Sequence, residues 1–258
     1  MNEIDDNIRD QIIIPDNKSK FDFENLSNIE LAVRFSKNKN NLDIFEKLLL
    51  KTDIKNDIIN EILIKVLVYE DTASIDAIKL LINYGADVNH KDSEGWSVFS
   101  YCCINPINSI ELTELLIENR AKINSKNKFG RIPLIHLVKY SKNHDDLEII
   151  KLLIRKGSKI NHKDDLNETV LIKCFENNNN VLIRYDIIKI LLDNKADIYI
   201  KNYENYNILD ILKRKITNDK QSDEYSDIYS LIFNYKNIDN DHYCEFDVNF
   251  IYNFFNIT

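Results

Sequence analysis

The chain has 258 residues, of which 44% are apolar and 29% charged, with a formal net charge of −8. That balance supplies a core and a water-exposed surface, while the acidic charge and the lack of a dense basic run argue against a general binder of nucleic acid or anionic membrane. The longest apolar runs fall far below the ~18 residues that cross a bilayer; the four cysteines, Cys102, Cys103, Cys174 and Cys244, form no C-x-x-C pair, so no disulfide framework or zinc site is expected and a reducing compartment fits.

In chain order, residues 1–20 read as an N-terminal tail, because MNEIDDNIRD is acidic and lacks the apolar stretch of a secretory signal. Residues 21–73 predict helices over Ile29 to about Lys37 and Leu42 to about Lys51, and a third from Asp57 in DIINEILIKVLVYE. Residues 74–215 contain a pattern that recurs four times without a gap. Its copies start at Ile78 (IKLLINYGADVNHKDSEGWSVFSYCC), Thr113 (TELLIENRAKINSKNKFGRIPLIHLV), Ile150 (IKLLIRKGSKINHKDDLNETVLIKCF) and Ile188 (IKILLDNKADIYIKNYENYNILDILK), at intervals of 35, 37 and 38 residues. Recurrence at such a period is the mark of a stacked repeat array. Residues 216–258 make a less regular C-terminal end. There the polar insertion LKRKITNDKQSDEY precedes a helix from Ser226, and FDVNFIYNFF reads as a closing helix or strand.

Each copy has one grammar. An LLI-like run is the apolar stripe of a helix, and Gly85, Arg120, Gly157 and Lys195 are its stops. Glycine takes the left-handed conformation that ends a helix without a side-chain clash, so the arginine and lysine stops are expected to be weaker or differently built. A short extended piece carrying Val88, Ile123, Ile160 or Ile198 follows, then a polar turn centred on Asp92, Asn127, Asp164 or Asn202. Gly95, Gly130, Asn167 and Asn205, all tolerant of positive φ, close the turn. A second helix begins at Ser97, Ile132, Thr169 or Asn207, three of which are good N-caps, and Pro133 sits at a first-turn position that needs no N–H. Extra residues between paired helices fall in NPINS, SKNHDD and ENNNNVLIR.

GADVNHKDSEGWSVF resembles the G-A-D-V-N-x-x-D-x-x-G-x-T-P-L segment of the ankyrin repeat, and the resemblance covers roughly Ser74 to Leu212. No copy holds the full T-P-L-H tetrapeptide; Ile135 stands at the family's histidine position and His136 one residue later. The resemblance implies an all-α solenoid of stacked antiparallel helix pairs with short β-hairpin-like loops, residues 21–73 serving as degenerate capping repeats and 216–258 as a degenerate repeat and cap. A lone repeat buries too little to offset the entropy of ordering its backbone, so each pair must lie against the next. Cys102, Cys103 and Cys174 fall where the family places small alanines and are expected to be buried small hydrophobes.

The sequence offers no catalytic constellation. G-x-x-x-x-G-K-[ST], G-x-G-x-x-G and H-E-x-x-H are absent. His90 and His162 share a slot in the first and third copies, but stacked repeats lie roughly 10 Å apart, too far for two such side chains to share a metal. Asp145–Asp146 and Asp164–Asp165 read as solvated turn formers in polar loops. Neither an enzyme nor a cofactor is expected.

The family commonly holds protein partners on hairpin tips and the exposed side of the inner helices. Carried over, those tips are Lys91, Ser93, Glu94 and Trp96; Lys126, Lys128, Phe129 and Arg131; Lys163, Asp165, Leu166 and Glu168; and Lys201, Tyr203, Glu204 and Tyr206. Trp96, Phe129, Leu166, Tyr203 and Tyr206 place a large group on almost every tip, flanked by charge as in binding hot spots; the other reading is that these rings seal one hairpin onto the next. The expected contact set is Lys91, Glu94, Trp96, Lys128, Phe129, Arg131, Leu166, Tyr203 and Tyr206. Lengthened loops, few glycines and an Asn/Ile/Lys-rich composition resemble repeat proteins of large DNA viruses, poxviruses in particular. That resemblance implies a monomeric factor binding a host protein in the host-cell cytoplasm. A bacterial or protist ankyrin effector or adaptor, and a structural spacer without a specific partner, are the alternatives.

Overall fold

The structure, a computed structural model, describes residues 39–51, 56–68, 74–104, 110–175, 181–218 and 222–239. The N-terminal tail, the helix expected over Ile29 to Lys37, the segments NPINS and NNNN, Cys244 and FDVNFIYNFF lie outside the described residues. Among the described residues there are eleven helices and no strand, so the fold class is all-α, as the ankyrin resemblance predicts. The chain divides into two compact units, one ending at Lys159 and one beginning at Ile160.

The first unit holds α1 (Lys39–Lys51), α2 (Asn56–Val68), α3 (Ile75–Asn83), α4 (Val98–Ile104), α5 (Ile110–Glu118), α6 (Pro133–Tyr140) and α7 (His144–Arg155). Three pairs form, α2 with α3, α4 with α5 and α6 with α7. The inner helices α2, α4 and α6 pack side by side, while α1 meets α3 and α5 meets α7 in the outer layer. Leu63, Phe99, Cys102, Leu116, Ile135 and Leu153 are buried between the layers. The second unit holds α8 (Val170–Lys173), α9 (Val181–Asp193), α10 (Ile208–Asn218) and α11 (Ser222–Asp239). There α11 packs against both α9 and α10, closing over Ile187, Leu191, Leu212, Ile228 and Ile232.

Several boundaries move from their expected places, each for a packing reason. The polar string LKRKITNDKQSDEY is mostly helical: α10 runs to Asn218 and α11 begins at Ser222, four residues before Ser226. Ile216 and Tyr225 inside that string are buried. Tyr225 meets the Phe175 ring at 6.4 Å, with the Arg184 and Lys215 cations 5.8 and 5.5 Å from its own ring. The end of ENNNNVLIR likewise joins α9, where Ile183 and Arg184 are buried. Asp145 and Asp146 are the first turn of α7 rather than a loop. Asn143 caps that helix through Asp146 N–H at 3.1 Å, and Asp146 closes the box by accepting from Asn143 N–H at 3.3 Å, with both carboxylates favoured at a helix N-terminus.

The four helix stops are built alike, which corrects the expectation for Arg120 and Lys195. Gly85, Arg120, Gly157 and Lys195 have φ of +94°, +66°, +90° and +65°. Behind each, a six-residue backbone bond closes the helix: Ala86 N–H to Leu81 O, Ala121 to Leu116, Ser158 to Leu153 and Ala196 to Leu191, all at 2.9–3.0 Å. This is the Schellman arrangement, and it holds non-glycine residues in the left-handed region wherever the surrounding bonds determine it. The piece expected to be extended after each stop is a turn in all four copies, closed in the first two by His90 N–H to Asp87 O at 2.9 Å and Ser125 N–H to Lys122 O at 3.0 Å. Among the described residues the hairpin character is confined to one antiparallel bridge between Lys91 and Ser97.

Candidate partner-binding surface

Each hairpin tip is organised by the side chain at its first position. Asp92 Oδ1 accepts from Glu94 and Trp96 N–H at 2.9 and 2.8 Å, and Asn127 Oδ1 from Phe129 and Arg131, both at 3.0 Å. Asp164 does the same for Leu166 and Glu168, both at 2.9 Å, and Asn202 for Glu204 and Tyr206 at 3.1 and 3.0 Å. An aspartate or asparagine is required because its short side chain reaches donors two and four residues ahead. The closing residues Gly95, Gly130, Asn167 and Asn205 have φ between +57° and +77°. At Gly95 space also matters, since a Cβ would lie 3.2 Å from the Lys128 nitrogen.

The second side-chain atom of the turn residue faces the inner helix, and the residue there matches it. Tyr101 donates its hydroxyl to Asp92 Oδ2. His136 Nε2 lies 3.5 Å from Asn127 Nδ2. Lys173 places its ammonium 3.7 Å from Asp164 Oδ2 and hydrogen-bonds Glu168 Oε2. In the fourth copy the place belongs to the apolar Ile211. In the first three copies carboxylate turns thus face donors and the Asn127 turn faces an imidazole, so there a buried turn atom finds a complementary group.

Adjacent copies are clamped by asparagines whose role was not legible from one sequence. Asn89 donates from Nδ2 to Arg120 O at 3.2 Å and accepts from Lys122 N–H at 2.8 Å. Asn124 repeats this on Gly157 and Lys159, at 3.0 Å each, and in the second unit Asn161 does so on Lys195 and Asp197, at 3.1 and 2.8 Å. Asn60, on α2, supplies the acceptor half to Asp87 N–H at 2.7 Å. The signal was the recurrence of Asn89, Asn124 and Asn161 in one slot; Tyr199 stands there in the fourth copy and is exposed.

On this frame the predicted contact residues separate into two kinds. Lys91, Glu94, Lys128, Phe129, Leu166 and Tyr203 are exposed, Phe129 by 51% and Tyr203 by 62%. Trp96, Arg131 and Tyr206 are half-buried. Trp96 stacks on His136 of the next inner helix, ring centroids 4.0 Å apart, and approaches Tyr101 at 5.7 Å. The Arg131 guanidinium lies 5.6 Å from the Phe129 ring, and that of Arg214 lies 4.6 Å from Tyr206. Lys91 Nζ donates to Lys126 O at 2.8 Å, and Lys128 pairs with Glu94 at 3.3 Å. Both bridge the first tip to the second, and Lys128 N–H adds a backbone bond to Glu94 O at 3.0 Å.

Burial sets the chemistry of the nearby titratable groups. His136 is buried, and desolvation, helped by the Arg131 and Lys139 charges, holds its imidazole down to about 3. Burial pushes the thiols of Cys102 and Cys174 up to about 12 and that of Cys103 well above its ordinary value, so all three are protonated small hydrophobes and poor nucleophiles. Among the described residues no cluster of three or more His, Cys, Asp and Glu is arranged to hold a metal, and no helix is long and apolar enough to cross a membrane.

Stacked helix pairs joined by hydrogen-bonded turns, with side chains presented on the turn tips, define a repeat protein. The family model for ankyrin repeats, described as three copies, matches residues 29–127 and 103–202. The chain belongs to the ankyrin-repeat family, whose repeats are generally protein-interaction modules. It is 39% identical over 70 residues to Ankyrin repeat protein OPG189 of Variola virus, found in two sequences of that virus. The match takes in 27% of this chain and spans 12% of the length of those relatives.

Proposed function

We propose that this chain is a protein–protein interaction module that holds its partner on the hairpin tips and the adjoining side of the inner helices, and that it acts on a host protein in the cytoplasm of a virus-infected cell. The observation that carries the reading is the presentation of Phe129, Leu166 and Tyr203 as exposed side chains on turns whose backbones are already pinned. An exposed apolar group on a rigid frame loses little conformational freedom on binding, which is the condition for a hot spot. The partial likeness to a poxviral ankyrin repeat protein supports the host-directed role. The protomer acts as a monomer, and the partner supplies apolar pockets for the tip side chains.

The test is affinity capture from candidate host-cell lysate with the immobilised full chain, against a Phe129→Ala/Leu166→Ala/Tyr203→Ala variant whose circular dichroism matches the parent. Proteins retained by the parent and lost by the variant support the tips as the site. An identical retained set would place binding elsewhere on the chain.

A further inference from the structure

We propose that the tips of the first unit recognise an acidic peptide segment carrying an apolar or aromatic side chain. This deepens the interaction reading above and rests on it. The chain as a whole carries −8, yet the first two tips reverse that sign. Over residues 91–96 and 126–131 the cations are Lys91, Lys126, Lys128 and Arg131, and the carboxylates are Asp92 and Glu94. Asp92 is turned inward: its Oδ1 holds two backbone N–H groups and its Oδ2 takes the Tyr101 hydroxyl. Glu94 is the outward carboxylate of the set, and Lys128 lies against it at 3.3 Å. The corresponding tips of the second unit lack this bias, since residues 163–168 carry Lys163 against Asp164, Asp165 and Glu168, and residues 201–206 carry Lys201 against Glu204.

Within that basic patch Phe129 is half exposed, with the Arg131 guanidinium 5.6 Å from its ring. The arrangement offers an apolar contact at the centre and cations around it. A partner segment of matching chemistry places carboxylates on Lys126, Lys128 and Lys91 and an apolar side chain on Phe129. Charge complementarity of this kind selects partners and speeds their encounter. A nucleic-acid strand is the other polyanion such a patch meets. The acidic net charge of the whole chain disfavours it, and it enters as an arm of the test.

The experiment is selection of a random twelve-residue peptide display library on the immobilised full chain, in parallel with a Lys126→Glu/Lys128→Glu variant and a Glu94→Lys variant. Selected peptides are then titrated by fluorescence anisotropy at two salt concentrations, beside a 20-nucleotide single strand. The expected result is enrichment of sequences rich in Asp and Glu around one apolar residue. Their affinity should fall about tenfold in the double charge reversal, rise in Glu94→Lys and weaken with salt. Enrichment of neutral or basic peptides lost on Phe129→Ala would overturn the acidic preference and leave the interaction module standing. A strand bound as tightly as the best peptide, and lost in the double reversal, would overturn it in favour of nucleic acid. No enrichment above the blank surface would overturn the acidic-peptide reading, while the lysate capture described above decides the interaction module separately.

Discussion

Replacing Lys173 by Ile tests the matching between turn residue and inner helix most directly. Lys173 is fully buried on α8, with Asp164 also buried and Glu168 half-buried. Its ammonium lies 3.7 Å from Asp164 Oδ2 and bonds Glu168. Removing one partner of a buried ion pair costs about 3–5 kcal/mol, because the charge left behind is uncompensated. Here Glu168 retains a 12% exposed side chain that water reaches, and Asp164 Oδ1 keeps its two backbone donors. The loss therefore belongs near the low end, about 3 kcal/mol. The exposed Lys79–Glu111 pair, at 3.2 Å, is expected to contribute only about 0–1 kcal/mol. The chain also contains a neutral solution to the same geometry: the fourth copy has Asn202, Tyr206 and Ile211 where the third has Asp164, Glu168 and Lys173. Transplanting it as Lys173→Ile/Asp164→Asn/Glu168→Tyr is expected to recover stability to within about 1 kcal/mol of the parent. Urea unfolding of the full chain, followed by far-ultraviolet circular dichroism, measures both. A single variant losing less than about 1 kcal/mol would refute the buried-charge argument, as would a triple variant no better than the single one.

Acid should weaken the first unit through His136, whose folded value of about 3 lies below the ordinary 6.5. Between those values the unfolded chain carries the extra proton, so stability falls with falling pH, by about 2.3 kcal/mol from pH 6.5 to 4.5. His136→Gln should flatten that window in urea titrations at stepped pH, and emission from the stacked Trp96 ring reports the site locally. Asn124→Ala removes two 3.0 Å bonds to the next helix stop; because Gly157 and Lys159 are exposed to water, a loss of about 1–2 kcal/mol is expected in the same assay. Lys195→Gly, at φ +65°, should raise the thermal midpoint by relieving about 0.5–1 kcal/mol of left-handed strain. Gly95→Ala should lower it, since the added methyl meets the Lys128 backbone at 3.2 Å.

What the sequence alone determined is the local grammar. Stops at Gly85 and Gly157, turns opened by Asp92 and Asn127, caps at Thr169 and Asn207 and Pro133 at a helix start all depend on bonds spanning a few residues, so the identity of one side chain declares them. Their recurrence every 35 to 38 residues then implied stacking. Stacking itself decided the rest. Arg120 and Lys195 sit in the left-handed region like the glycine stops because the closing backbone bonds, with clamps from Asn89 and Asn161, fix them there. Trp96 is seated on His136 while Phe129 stays exposed, although both are aromatic residues on adjacent tips. Residues 212–218 and 222–225 of that polar string became helix ends because Ile216 and Tyr225 found a core to enter. Each of these outcomes is set by a neighbour some 30 to 40 residues away or on another helix, and burial against that neighbour outweighs local propensity.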